Sequence, residues 1–302
     1  MRRGGSRQPL HVARGALTAQ KNGKSMHEPV WFRWLGVAGI ELCVGDRTLV
    51  TDPFFSRPPF RHIWLGRPEP DRALIAENVP RCESILVTHP HWDHLMDVPE
   101  VARQTGATVY GSANTRQFAV ACGVSEERVR LIRAGDQLRA EPFRIEVLPA
   151  IHATLLGQPI FAGAMPRHPR LPPRLRDYRM DADFSFLLEI AGLRLLDWSS
   201  ERAESAISAD VLFIKPHHAQ QAFYRDVLSA VRPRLVIPIH WDDFLRPLSR
   251  PLRPSFGFPA WSIPPLRRVD LNRFRQLIER FAPETTVFVP DIFRRYDLRE
   301  WV

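Results

Sequence analysis

Thr88-His89-Pro90-His91-Trp92-Asp93-His94-Leu95 follows an apolar run, Ser84-Ile85-Leu86-Val87, that predicts a short buried strand. Three imidazoles and a carboxylate fall between His89 and His94, a dense set of nitrogen and oxygen donors for a first-row metal. His89 and His91, two apart in extended chain, aim at one point from a strand end. Asp93 and His94 lie past the bend and face a second point. That spacing suits two ions better than one. A polar turn with surface histidines is the bland alternative, and it leaves so close a grouping unexplained.

The remaining donors fall in a telling order. His152, Asp197 and His240 each sit at the predicted C-terminal end of a strand: Phe143–Leu148 leading to His152, Leu193–Leu196 to Asp197, and Leu235–Ile239 to His240. Ligands from strand ends converge at one edge of a sheet, where loops are shaped without disturbing the core. The expected division is His89, His91 and His152 on one ion, Asp93, His94 and His240 on the other, and Asp197 as the bridge. Asp183 and Asp210 are rivals for the bridge, although neither ends a strand of the right hairpin. Two such ions share a hydroxide, lower the pKa of its parent water towards ~7 and stabilise charge on the attacked group. Asp93 and Asp197 are the candidate catalytic carboxylates.

These residues resemble the metallo-β-lactamase superfamily. Its signature His-x-His-x-Asp-His is met by His89-Pro90-His91-Trp92-Asp93-His94, and the resemblance runs over roughly residues 30–295 through Thr51-Asp52-Pro53, His152, Asp197 and His240. It implies that Asp52 acts behind the ligands, orienting an imidazole. It also implies two divalent cations, zinc first and manganese or iron as alternatives. The context Leu148-Pro149-Ala150-Ile151-His152 is similar to the branch holding the ascorbate-phosphate lactonase and the phospholipase D acting on N-acyl phosphatidylethanolamine. Two departures stand out. Val37 occupies a place where that branch often has His, and Leu196-Asp197-Trp198-Ser199 lacks the Gly that usually precedes the bridging Asp.

The organisation expected is a basic, disordered tail over residues 1–28 and one hydrolase domain over 29–302. The domain is expected to be an α/β (α+β) four-layer αβ/βα sandwich, with two packed mixed sheets and helices on the outer faces. Short strands at 31–34, 39–44 and 47–51, an irregular loop over 54–80, helices at 98–104, 113–122, 219–231 and 271–281, and a hairpin at 184–196 make up the pattern. The net charge of +9 is misleading. Arg2, Arg3, Arg7, Arg14, Lys21 and Lys24 stand in an acid-free start, leaving 36 basic residues against 33 acids in the rest. The domain is therefore only mildly basic, which argues against a nucleic-acid partner. Three scattered cysteines suit a reducing cytoplasm better than a disulfide framework. No apolar run is long enough to span a bilayer.

Two arginine- and proline-rich segments, 157–183 and 244–268, follow or precede proposed ligands and are expected to wall the cleft. Arg174, Arg253 and His217 are the candidate substrate contacts, for a small-molecule or lipid-like substrate bearing phosphate. Lys215-Pro216-His217-His218 reads nearly as well as a structural loop. The expected reaction is attack on an ester-like, lactone or phosphodiester centre. An RNA- or DNA-processing metallonuclease is the alternative activity. A membrane-surface or ligand-binding protein, using the loop at 244–268 for peripheral association, is the alternative outside catalysis.

Overall fold

Alternating burial along the strands sorts the chain into layers. The computed structural model describes residues 28–59, 66–155, 158–159, 161–202, 207–216, 221–257 and 267–302. The expected disordered tail and His217 and His218 therefore lie outside the described residues. The first sheet holds β1 (Trp31–Gly36), β2 (Gly39–Val44), β3 (Arg47–Thr51), β4 (Ser84–Leu86), β5 (Thr108–Gly111) and β6 (Val129–Leu131). The second holds β7 (Gln137–Ala140) and β8 (Phe143–Pro149). After a small hairpin of β9 (Thr154–Leu155) and β10 (Gln158–Pro159), it continues with β11 (Phe184–Ile190), β12 (Leu193–Trp198), β13 (Val211–Ile214) and β14 (Leu235–Pro238). Another hairpin, β15 (Phe256–Gly257) and β16 (Arg267–Arg268), precedes β17 (Thr286–Val287) on the second sheet and β18 (Arg295–Asp297) on the first.

The two sheets share one plan. The first runs β18-β1-β2-β3-β4-β5-β6, antiparallel as far as β3 and parallel beyond it. The second runs β17-β14-β13-β12-β11-β8-β7, parallel as far as β12 and antiparallel beyond it. Phe32, Trp34, Leu49 and Leu86 from one sheet meet Phe186, Leu195, Phe213 and Ile237 from the other in the central core. The Phe32 and Phe213 rings lie 5.3 Å apart across it. Burying a side chain of that size stabilises by roughly 1.5–3 kcal/mol.

Helices close the outer faces. On the first sheet these are α1 (Arg72–Asn78), α2 (Trp92–Leu95), α3 (Val98–Thr105) and α4 (Ala113–Ala121), packed on Val50, Ile85, Val87 and Val109. On the second they are α5 (Gln221–Val231) and α6 (Leu271–Phe281), packed on Leu196, Leu212 and Val236. The architecture is the expected four-layer αβ/βα sandwich. Among the described residues no helix is long and apolar enough to cross a membrane.

Two expectations need correction. The loop over 54–80 contains α1, whose N-cap Asp71 accepts from Leu74 N at 3.0 Å. Prolines on either side of a short element hid it, and the capping residue was the usable sign. The strand ending at Leu196 runs on to Trp198, so Asp197 is an interior strand residue paired with Phe186 and Phe213. Arg253 pairs with Asp243, and Arg174 opens a 3-10 turn through its backbone amide.

Candidate metal centre

The first sheet delivers four donors from one loop. Beyond β4 the chain bends at Thr88, and Asp52 enforces the bend. Asp52 is fully buried at the end of β3 with a left-handed φ of 40°. Its Oδ1 accepts from Thr88 N at 2.9 Å, and its Oδ2 takes the Thr88 hydroxyl at 2.5 Å and His94 Nδ1 at 2.7 Å. The loop then enters α2, with His91 at its N-cap and Asp93 and His94 in its single turn.

The second sheet delivers one residue to each side. His152 follows β8, and its Nδ1 meets Ala153 O at 2.9 Å. His240 follows β14 with a φ of 56°, its amide donating to Val37 O at 2.6 Å. Val37, also left-handed at φ 49°, donates its own amide to Asp242 Oδ1 at 2.9 Å. Asp242 in turn pairs with Arg57 at 2.6 Å, both side chains being essentially buried. Val37 thus stands where the resemblance expects a histidine, and it serves the site through its backbone. Such strained positions cluster where surrounding structure holds functional groups in place.

Two triads result. Donor atoms of His89, His91 and His152 lie within 4.8 Å of one another, and so do those of Asp93, His94 and His240. His240 Nε2 lies 3.2 Å from Asp93 Oδ2, and His94 Nε2 3.8 Å from the same oxygen. The rings of His89 and His94 are 3.9 Å apart, so the triads adjoin. With Nδ1 of His94 and of His152 each held by an oxygen, Nε2 is the nitrogen left to face a cation.

Electrostatics put the donors in ligating form. Burial, reinforced by neighbouring imidazoles, holds His89 and His94 well below the ordinary histidine value, and burial with the Lys215 charge brings His152 down to about 3. Burial alone would raise Asp93, but His94 and the contact with His240 outweigh it and keep the carboxylate ionised. The carboxyls behind the triads go the other way. Burial raises Asp52 to about 7, Asp183 to about 7 and Asp197 to about 8. Crowded acids and neutral imidazoles are a donor set that suits divalent cations. Asp197 Oδ2 and Asp183 Oδ2 are buried and, among the described residues, have no hydrogen-bond partner.

Asp197 belongs to neither triad. On β12, Leu195 faces the central core and Trp198 the helical layer, so alternation turns Asp197 inwards, beside Thr51 and Asp52. Asp183, weighed only as a rival bridge, stands just ahead of β11. It receives the Ser199 hydroxyl at 2.9 Å and lies 3.5 Å from His89 Nδ1. Glu201 was missed. Its amide donates to Ile151 O at 2.8 Å, beside His152, and its carboxyl is raised by burial. Thr88, also missed, was legible as the hydroxyl preceding His89.

The arginine-rich segments contribute aromatics at the site. Phe161 lies 6.3 Å from the His91 ring, and Phe244 lies 6.0 Å from His240 and 5.4 Å from Trp92. Arg253 grips Asp243 through Nε at 2.8 Å and a second nitrogen at 2.7 Å. Arg174 opens a 3-10 turn through its amide, which donates to Asp177 Oδ2 at 2.9 Å.

Residues 47–167 match the model of the "Beta-lactamase superfamily domain". A "UPF0173 metal-dependent hydrolase" of Caldivirga maquilingensis is 24% identical over 259 residues, covering 86% of this chain and 94% of that protein. Igni18, described as a novel metallo hydrolase from Ignicoccus hospitalis, superposes with a TM-score of 0.56 at 16% identity, over 88% of this chain and 97% of its own. CmlA, a diiron β-hydroxylase from Streptomyces venezuelae, superposes with a TM-score of 0.53 at 14% identity, over 90% of this chain and 54% of its own. The chain thus shares its fold with these solved structures, and its residues 47–167 are similar to the β-lactamase superfamily domain.

Proposed function

We propose that the chain is a metal-dependent hydrolase with two divalent ions, one held by His89, His91 and His152 and the other by Asp93, His94 and His240. The observation that carries this reading is the pair of adjoining triads, each with donors within 4.8 Å. Relatives named as metal-dependent hydrolases support it. When bound, such ions lower the pKa of a coordinated water towards ~7 and draw charge from the group under attack.

The chain's own residues do the positioning. Asp52 fixes the tautomer and direction of His94, while Thr88 and Asp183 hold His89. Asp197 would be the carboxylate available to both ions, supported by its buried, unbonded Oδ2 and its inward position on β12 beside Thr51 and Asp52. Phe161 and Phe244 flank the triads, beside His91 and His240 respectively. The similarity to the lactonase and phospholipase D branch favours an ester-like, lactone or phosphodiester centre in a small-molecule or lipid-like substrate. Zinc suits the nitrogen-rich donors, and a diiron protein of the same fold keeps iron and manganese as alternatives. The free thiols of Cys43, Cys82 and Cys122 support a cytoplasmic setting.

The test is purification without chelator, elemental analysis for zinc, manganese and iron, and assay against an ester, lactone and phosphodiester panel. Two equivalents of metal with hydrolysis of one class are expected. Folded protein holding less than one equivalent of any transition metal refutes the reading.

A further inference from the structure

One cation at the site is not committed to a partner. β13 lies between β12, whose continuation carries Ser199 to Glu201, and β14, whose continuation carries His240. Lys215 is the first residue past β13, at the middle of the edge from which the second sheet's site loops depart. Phe213 faces the central core and Ile214 the helical layer, so alternation turns Lys215 inwards, where the sandwich opens onto the triads. Its backbone is tied on both sides. Tyr224 donates its hydroxyl to Lys215 O at 3.3 Å, and Ile239 N donates to Ile214 O at 3.1 Å.

The ammonium acts on site groups from both sheets. It lowers the carboxyls of Asp52, Asp183 and Asp197, and disfavours protonation of His89, His94 and His152. Yet among the described residues no carboxylate comes within 4.0 Å of it, whereas the half-buried Arg33 and the buried Arg57 each grip one, Glu41 and Asp242. Arg253, expected to meet an anion, is occupied by Asp243. A half-buried cation placed beside two divalent ions is unfavourable unless an anion lies between them. The substrate can supply that anion.

We propose that Lys215 is the anion-recognising residue, and that the substrate carries an oxyanion group, carboxylate or phosphate, beside the bond to be hydrolysed. Its apolar remainder lies between Phe161 and Phe244. This rests on the hydrolase reading and narrows it. Lys215 donates charge-assisted hydrogen bonds to the oxyanion and holds the scissile group against the triads.

The test uses the full chain loaded with zinc. Its first arm compares 4-nitrophenyl hemisuccinate with 4-nitrophenyl butyrate, which share a leaving group and size and differ by one negative charge. Phosphate-bearing and neutral diesters of the same nitrophenol form a parallel pair that separates the two oxyanion sources. The ratio of kcat/KM, charged over neutral, is expected to fall by about tenfold or more in Lys215→Gln, to invert in Lys215→Glu and to be partly kept in Lys215→Arg. The second arm measures calorimetrically the binding of monomethyl succinate against methyl butyrate, with the same expected order. Zinc content and melting temperature are followed in every variant. A ratio unchanged in Lys215→Gln overturns the proposal, because the metals alone then explain the preference. So does an equal loss for charged and neutral partners, which is what a purely structural lysine produces. Zinc-loaded wild-type protein that hydrolyses no ester, lactone or phosphodiester refutes the hydrolase reading, and the binding arm still decides the role of Lys215.

Discussion

Breaking the Arg57–Asp242 pair tests how the sandwich holds His240 in place. Arg57 Nη2 meets Asp242 Oδ2 at 2.6 Å, with side chains 1% and 0% exposed. Arg57 Nη1 also reaches Asp243 O at 3.3 Å, and Asp242 Oδ1 accepts from Val37 N, whose carbonyl binds His240. Removing one member of such a pair leaves an uncompensated buried charge, a loss of about 3–5 kcal/mol. Arg57→Met leaves Asp242 exposed to that penalty but keeps its bond to Val37. Asp242→Asn keeps an acceptor for Val37 and strands the guanidinium. Each single change is therefore expected to cost about 3–5 kcal/mol, against a total stability on the order of 5–15 kcal/mol. The double variant is expected to cost less than the sum by about 2 kcal/mol, since the second change removes the charge stranded by the first. Urea unfolding of metal-free protein gives the stabilities without interference from ligand loss. Single losses below about 1 kcal/mol, or strict additivity, refute the argument that this pair is a clamp.

Metal affinity reports on the residues behind the triads. Asp52→Asn should weaken binding about 10–100-fold in a chelator competition, and Asp183→Asn less, because its contact with His89 is longer and shared with Ser199. Loading with metal at pH 7 should release protons from Asp52, Asp183 and Asp197, raised to about 7, 7 and 8, and none from His89, His94 or His152, which are already neutral. Calorimetry in buffers of different ionisation heat should show that release shrinking between pH 7 and pH 9; a constant release contradicts it. Asp97, whose Oδ2 accepts from Phe55 N and Ser56 N, is raised from 3.8 to about 6 by burial. The folded state then holds the proton longer than the unfolded one, so stability falls by about 3 kcal/mol as pH rises from about 4 to above 6. Asp97→Asn should flatten that part of the urea-midpoint profile, and an unchanged slope counts against it.

The ligand loop was legible because its chemistry is local: six residues carry four donors after an apolar strand. The α6 helix was legible for the same reason, with periodic Leu271, Phe274, Leu277, Ile278 and Phe281 behind an Asp270 cap that accepts from Asn272 N and Arg273 N. Edge strand β7 carried only a weak signal, since Gln137–Ala140 has just Leu138 and Ala140, both half-buried, on its core face. Lys215, Asp183 and Glu201 were hidden by distance along the chain. Each lies in an unremarkable local context: the parallel pairing of β12, β13 and β14 brings Glu201 and Lys215 to the metal edge, and the antiparallel pairing of β11 with β8 and β12 brings Asp183 there. The arginine-rich segments present the opposite case. Composition suggested anion binding, but Arg253 is held by Asp243 within its own loop, and the residues that reach the triads are Phe161 and Phe244.

Each triad takes two donors from the loop after β4 and its third from the other sheet, His152 after β8 or His240 after β14. An ion in either one is consequently a rivet between the two halves of the sandwich, joining positions up to 147 residues apart, from Asp93 to His240. Loading and fold integrity then become one equilibrium: free metal at about 100 times its dissociation constant adds roughly 2.7 kcal/mol to the native state. A chelator would therefore loosen the seam between the sheets as well as silence the chemistry. Scarcity of metal would be felt first as susceptibility to proteolysis along that seam.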